Sequence, residues 1–399
     1  MNRPVSLKAI CRTWKAGAPM ILFAHSSRYN EVMNFSWKQA TKPIVGLSGM
    51  DGVTDAAMRH VTAMYGPPDV IMTEFTSVEG LTHNAALLLR DLHYTPIQRP
   101  IIAQLYGSAP EAFRIGAVIV CALGFNGLDI NMGCPSRAVT RHGCGAALIK
   151  VPQAAKAIIR AARAGIQDWC NGRRLDSLGL SAAFVQAAKS SPIYVGDGEA
   201  RRPIPLSVKT RIGYDHVNTV DWVSHLLETS LDNISIHGRT LLQKYSGQAN
   251  WDEIAKAANL IHQTETTVMG NGDLKTPEEI MARITQSGVD GVLIARAAMG
   301  NPWLFREYRA AKNDEAAPAR ITLVERLTAA LEHVQCFDHL NQTVFKDDPF
   351  PFPNMRKHLG WYIRDLPGAA ALRKELLLSA SPTRARQLIQ EFMDMAGAL

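Results

Sequence analysis

Hydrophobic positions beyond Lys42 gather into short runs, each followed by a longer stretch of helical periodicity. Eight such runs recur, at 43–50, 70–76, 101–107, 127–133, 206–213, 233–240, 267–274 and 291–299. Apolar residues continue through most of each run instead of alternating with polar ones, as strands covered on both faces require. Strand then helix, repeated eight times over about 260 residues, predicts an α/β fold of the TIM (β/α)8 barrel type. An open doubly wound sheet is the alternative arrangement. Polar or special residues sit at the C-terminal end of nearly every run: Gly49, Met50 and Asp51, then Glu74, Gln104, Asn131 with Cys134, Lys209 with Arg211, His237 with Arg239, Asn271 with Gly272 and Asp273, and Arg296. A closed barrel brings those ends over one pocket, whereas an open sheet spreads them along a line, so the clustering favours the barrel.

Three segments fall outside the repeat. Residues 164–205 contain a helix-like stretch at 180–189 and a Gly/Arg/Pro-rich stretch at 196–205, and they read as an insertion decorating the periphery of a barrel that spans 43–304. Beyond Pro302 the strand signals stop, and 321–337, 355–363, 369–379 and 383–395 read as helices of a small all-helical domain over 305–399. Pro349, Pro351 and Pro353 make 347–353 a loop within it. Residues 1–42 carry Arg3, Lys8, Arg12, Lys15, Arg28, Lys38 and Lys42 against the single acid Glu31, a composition that fits an organelle-targeting peptide or, the preferred reading, a basic, poorly ordered extension with Met33 as an alternative start.

Composition changes this picture little. A chain of 399 residues, 47% hydrophobic and 20% charged, is globular and long enough for two domains. Its net charge of +7 permits an anionic partner, but the basic extension holds much of the excess. The longest purely apolar stretch, 115–125, is far shorter than the roughly 20 residues of a membrane-spanning helix. Six scattered cysteines form no disulfide framework and favour a reducing cytoplasm.

Cys134 lies in a Gly-Cys-Pro turn just past the fourth run, which keeps it at a pocket mouth as a proton donor or nucleophile; the plain alternative is a packed small residue, the reading preferred for Cys144. Ser207, Lys209 and Arg211 project to one side of the fifth strand. Two inward cations there need an anion: a phosphate, an anionic flavin or carboxylate ligand, or a structural carboxylate such as Glu74 or Asp129. His237 can donate to a cofactor or substrate from its strand end. Gly272 and Arg296 follow the seventh and eighth strands, where TIM barrels hold phosphate.

Together, Gly49-Met50-Asp51-Gly52-Val53-Thr54-Asp55, Gln104, Asn131 to Pro135, Val208 to Gly213, His237 to Thr240, Asn271 to Asp273 and Arg296 resemble the tRNA-dihydrouridine synthase family. The resemblance extends to Arg356-Lys357-His358-Leu359-Gly360-Trp361-Tyr362 and to 366–370, which look like the family's helical tRNA-recognition domain. It implies an FMN enzyme, reduced by NADPH or NADH, that passes hydride from flavin N5 to C6 of a tRNA uracil while a cysteine protonates C5. Cys134 matches that acid. Gly49, Met50, Asp51, Gln104, Lys209, His237, Asn271, Gly272, Asp273, Ala295 and Arg296 fall on flavin positions, and Asn131, Arg137, Arg211, Arg356 and Lys357 on substrate positions. No metal and no obligate protein partner are implied, and a monomer is expected. Ser48-Gly49 stands where many members have Ala-Pro, and Ala295 where glycine is usual, so a methyl group is expected to crowd the phosphate loop. A flavin barrel acting on a small free substrate, such as one with dihydroorotate dehydrogenase-like chemistry, and a noncatalytic RNA binder are the competing readings.

Overall fold

The computed structural model describes residues 34–196, 201–316, 319–364, 366 and 368–397. The predicted extension as far as residue 33, residues 197–200 of the insertion, and Pro367 of the 366–370 motif lie outside the described residues. Eight parallel strands close into a barrel in chain order: β1 (Ile44–Leu47), β2 (Ile71–Ser77), β3 (Ile101–Tyr106), β4 (Gly127–Met132), β5 (Leu206–Arg211), β6 (Asn233–His237), β7 (Thr267–Asn271) and β8 (Gly291–Ile294). β8 returns to β1 in the register Ile44 to Gly291, so no open edge remains and the doubly wound alternative falls. The main helices around the barrel are α1 (Ala56–Tyr65), α2 (Val78–Thr82), α3 (Pro110–Ala122), α4 (Arg137–Thr140), α5 (Pro152–Cys170), α6 (Ala182–Lys189), α7 (Thr219–Leu227), α8 (Trp251–Ile261), α9 (Pro277–Ser287) and α10 (Leu304–Lys312).

The strands depart from the expected continuous apolar runs. In β4, β5 and β6 polar and apolar residues alternate: Leu128, Ile130, Val208, Ile234 and Ile236 pack outward into the core beneath the helices. Asp129, Ser207, Asn233 and Ser235 are fully buried on the other face. They bond to one another: Ser207 Oγ donates to Asp129 at 2.6 Å, Asn233 Nδ2 to Ser235 Oγ at 3.1 Å, and Thr267 Oγ1 to Asn233 Oδ1 at 3.1 Å. A polar interior is stable only when its groups are paired, and these strands supply the partners across the barrel.

At the opposite end, Trp37 closes the barrel. It is 1% exposed and packs in one cluster with Ile44, Val70, Met72, Ile102, Met269 and Leu293. Residues 35–40 therefore belong with the barrel and not with a free extension, because an indole of this size covers its apolar floor. Two other boundaries also move. Ala164 to Cys170 are the last turns of α5, whose buried Ile166 and Trp169 continue its apolar face, so the insertion starts at Asn171. α10 supplies Leu304, Phe305 and Tyr308 to the barrel core, which makes it the eighth barrel helix.

The helical domain comprises α11 (Leu323–Thr343), α12 (Pro353–Tyr362), α13 (Ala370–Leu378) and α14 (Pro382–Gly397). Thr322 and Glu325 form a capping box at the start of α11. Pro353 opens α12 in its first turn, where a missing N–H costs nothing. The domain packs Leu327, Phe337, Met355, Leu359 and Tyr362 against Ala56, Ala57 and Trp303 of the barrel. No helix among the described residues is long and apolar enough to cross a membrane.

Replacing Trp37 by alanine is expected to destabilise the fold by about 3–5 kcal/mol, since it leaves a cavity under the strands. Urea unfolding of the variant measures this, and a loss below 1 kcal/mol would mean that the segment is not part of the barrel core.

Candidate active site

The C-terminal ends of the strands open into a cavity of about 1340 Å³. Its lining contains Gly49, Met50, Asp51, Gln104, Asn131, Cys134, Arg137, Lys209, Arg211, His237, Asn271, Gly272, Asp273, Ala295 and Arg296, residues the sequence leaves up to about 250 positions apart. None of the described residues of the insertion lines it. Instead the insertion is tied elsewhere, with Ser181 N donating to Asn84 Oδ1 at 2.6 Å on the connection between β2 and β3.

The inner wall is a chain of side-chain hydrogen bonds. Gln104 Nε2 donates to Asp129 Oδ2 at 2.8 Å, and Asn131 Nδ2 donates to Gln104 Oε1 at 2.9 Å. Asn131 Oδ1 then accepts the backbone N–H groups of Gly133 at 3.1 Å and Cys134 at 2.9 Å. The thiol of Cys134, partly exposed, is held by this backbone, and burial pushes its pKa above the ordinary cysteine value despite nearby Lys209 and Arg211. It keeps its proton at neutral pH.

Lys209 Nζ reaches Asn271 Oδ1 at 3.3 Å and has no ion pair among the described residues. Burial, then Arg211, pushes the ammonium down to about 8, while Asp129 opposes the shift. Neither cation of β5 is neutralised by Glu74. Arg211 is 3% exposed and donates to the carbonyls of Gly133 at 2.6 Å, Thr240 at 3.0 Å and Lys244 at 3.3 Å, which ties the loops after β4 and β6 together. Its guanidinium is pushed down to about 10, chiefly by burial. His237 is also buried, and desolvation followed by the charges of Arg211, Lys209, Arg239 and Arg296 keeps its imidazole neutral.

Beyond β7 the chain makes a tight turn. Gly272 has φ +134°, and a Cβ there would lie 2.5 Å from the Ala249 side chain and 3.2 Å from His237 Cδ2, so only glycine fits. Asp273 joins two arginines: Arg239 Nη2 donates to Oδ2 at 2.6 Å and Arg296 Nη2 to Oδ1 at 3.2 Å. Arg239, 2% exposed, was legible as a strand-end residue but not as the pivot of this turn. Ala295 has φ −115° and ψ −103° and lines the cavity beside Arg296. Gly49 is confined more tightly than the glycine-for-proline difference suggests, since an added Cβ would stand 2.1 Å from Thr73 O.

Two residues expected on the substrate side lie elsewhere. Arg356 Nε donates to Ser379 O at 2.8 Å inside the helical domain, and Lys357 Nζ donates to Gly52 O at the barrel's first loop. Neither lines the cavity. The helical domain contributes Arg364 instead. Arg364, Arg137, Lys244 and Lys275 are exposed on the lining, and none of their side chains has a hydrogen bond or ion pair among the described residues. Tyr245, 63% exposed, stands among them with Arg296 5.4 Å from its ring centroid. No periodicity marked Arg364, because it lies just beyond α12 and reaches the barrel only through domain packing.

The dihydrouridine synthase family model matches residues 47–168 and 197–396, leaving out the stretch that contains α6. A protein of Staphylococcus aureus (strain MRSA252) named "Probable tRNA-dihydrouridine synthase" is 30% identical over 361 residues, covering 89% of this chain and 95% of its own. "Probable tRNA-dihydrouridine synthase 2" of Bacillus subtilis (strain 168) is likewise 30% identical, covering 89% and 96%. A solved structure of DHODH from Eimeria tenella in complex with ferulenol covers 77% of this chain and 90% of its own at 14% identity and a TM-score of 0.46, too loose a likeness to bear on chemistry.

The neutral, buried state of His237 has a consequence for pH. Below the ordinary imidazole value of 6.5 the unfolded chain takes up a proton that the folded site refuses, so stability present above that pH is lost as pH falls. His237→Gln is expected to flatten the fall in urea midpoint between about pH 6.5 and 5. A slope identical to that of the wild type would mean that the ring is protonated in the folded state.

Proposed function

The chain belongs to the dihydrouridine synthase family, and from that premise we propose that it is a tRNA-dihydrouridine synthase, an FMN-dependent and NAD(P)H-driven enzyme that reduces the C5–C6 double bond of specific uridines in tRNA. The observation that carries this reading is a protonated Cys134 sharing one cavity with the Lys209, His237 and Asn271 wall and with the Gly272–Asp273 turn.

The residues fit FMN. A flat ring with a polar imide edge finds Gln104, Asn131 and the buried ammonium of Lys209, which has no ion-pair partner among the described residues. The phosphate finds the Gly272 turn beside Arg296, where backbone and guanidinium converge after β7 and β8. When bound, reduced FMN supplies the hydride that adds to C6 of the uracil. Cys134 holds the matching proton on Sγ and delivers it to C5, so that one hydride and one proton saturate the double bond. Neutral His237 keeps a hydrogen-bonding ring nitrogen without adding charge, and Asp273 fixes Arg239 and Arg296 in place.

A uridine in folded RNA reaches such a cavity only after leaving its stack. The exposed Arg137, Lys244, Lys275 and Arg364 are suited to the phosphates on either side of it, and Tyr245 to a neighbouring base. Arg364 also disfavours a small free substrate, since that reaction gives the helical domain nothing to hold.

Dihydrouridine content at each tRNA position, in a strain lacking the gene and after its restoration, tests the assignment. Loss and recovery at a defined position is expected, and no change anywhere with redundant enzymes removed would reject it. Cys134→Ala should keep FMN and tRNA binding while losing about 10²–10⁴-fold in reduction, the usual worth of a positioned acid. Undiminished turnover would remove Cys134 from the chemistry. Arg364→Ala should weaken tRNA binding and lower the salt slope by about 1. An unchanged slope would take Arg364 off the RNA.

A further inference from the structure

Asp129 has no part in the chemistry above, yet the bonds that hold the cysteine loop begin at it. Its carboxylate is fully buried inside the barrel and accepts at both oxygens, from Ser207 Oγ at 2.6 Å and Gln104 Nε2 at 2.8 Å. Gln104 then presents Oε1 to Asn131 Nδ2, and Asn131 presents Oδ1 to the N–H groups of Gly133 and Cys134. We propose that Asp129 is a positioning residue: as the acceptor-only end of this chain it dictates which way two buried amides point, and thereby holds the Cys134 backbone and the edge that Gln104 turns to the flavin. The flavin half of this inference rests on the proposed function; the cysteine half does not.

The argument is one of donor and acceptor counting. A glutamine or asparagine amide rotated by half a turn exchanges its oxygen and nitrogen with almost no change of shape. Were Gln104 reversed, its carbonyl would face a carboxylate and its NH₂ would face the NH₂ of Asn131. Were Asn131 reversed in turn, its NH₂ would meet the two loop N–H groups. An ionised carboxylate has no donor and forbids the first rotation, so it forbids the second. Burial, opposed by Ser207, Gln104 and Lys209, leaves the Asp129 carboxyl at about 6, so it is mostly ionised at neutral pH. An asparagine at 129 has the same size but both faces available, and the reversed chain then becomes competitive.

Asp129→Asn in the full-length protein tests the inference. The Cys134 thiol of the variant should be alkylated by iodoacetamide about fivefold faster, read on its peptide by mass spectrometry. Bound FMN should be released about tenfold faster with a shifted flavin absorption band, the scale expected for losing one buried oriented hydrogen bond. Alkylation and flavin band both as in the wild type, well below the melting temperature, would reduce Asp129 to a structural residue and overturn the inference. Should Asp129→Asn fail to fold, Ser207→Ala decides: without this donor the buried carboxyl holds its proton more readily and can donate to a reversed Gln104, so the alkylation rate should rise relative to the wild type at the same pH, and an unchanged rate overturns the inference. Wild-type protein without flavin would reject the flavin reading, while the Cys134 rates would still decide the role of Asp129.

Discussion

Polar groups inside a closed barrel have no water to turn to, and the organisation of this protein follows from meeting that constraint. A barrel interior filled with aliphatic side chains satisfies itself by packing alone. Here Asp129, Ser207, Asn233, Ser235 and Gln104 occupy the interior, each is fully buried, and each must find a partner, on a neighbouring strand or, for Ser235, on its own. The bonds therefore run across the barrel and upward, from Ser207 through Asp129, Gln104 and Asn131 to the cysteine loop. The apolar material is displaced to the outer faces of the strands and to the floor, where Trp37 seals the lower end.

The same accounting sorts the cations of the cavity. Arg211 and Arg239 are buried and spend their N–H groups on loop carbonyls and Asp273, so they act as fixed parts of the wall. Among the described residues, buried Lys209 has a single amide oxygen as its side-chain hydrogen-bond partner, an arrangement that an anionic or acceptor-rich ligand would complete. Arg137, Lys244, Lys275 and Arg364 remain in water with their charge available. Wall and rim thus present two kinds of positive charge, one preorganised and one adaptable.

The first loop of the barrel links cavity and helical domain. Met50 and Asp51 line the cavity, while Gly52 O accepts from Lys357 and the Asp55 carboxylate lies 3.7 Å from His358 Nε2. Asp55 also caps α1 by accepting from Met58 N at 2.8 Å. Lys357 and His358 thereby support the cavity indirectly through this loop, without reaching the cavity themselves.

Strand number and order, the chemistry gathered at the strand ends and the presence of a helical second domain were all legible in the chain, because each is written in local periodicity or in a motif whose residues are neighbours. The β4 strand end shows how far this goes: Asn131 and Cys134 were visible as a unit because three positions separate them. Asp129, two positions earlier, read only as a possible counter-ion for the cations of β5, since its role depends on Gln104 and Ser207, 25 and 78 residues away. Arg356 and Arg364 are equally basic and lie two turns apart in sequence, and nothing local tells which one the packing of α12 sends to Ser379 and which to the cavity. Local sequence determined the elements and the polar and cysteine side chains they carry. Tertiary structure alone decided which polar groups are paired and which are left free, because pairing depends on distances that only the closed barrel and its docked domain bring within hydrogen-bond range.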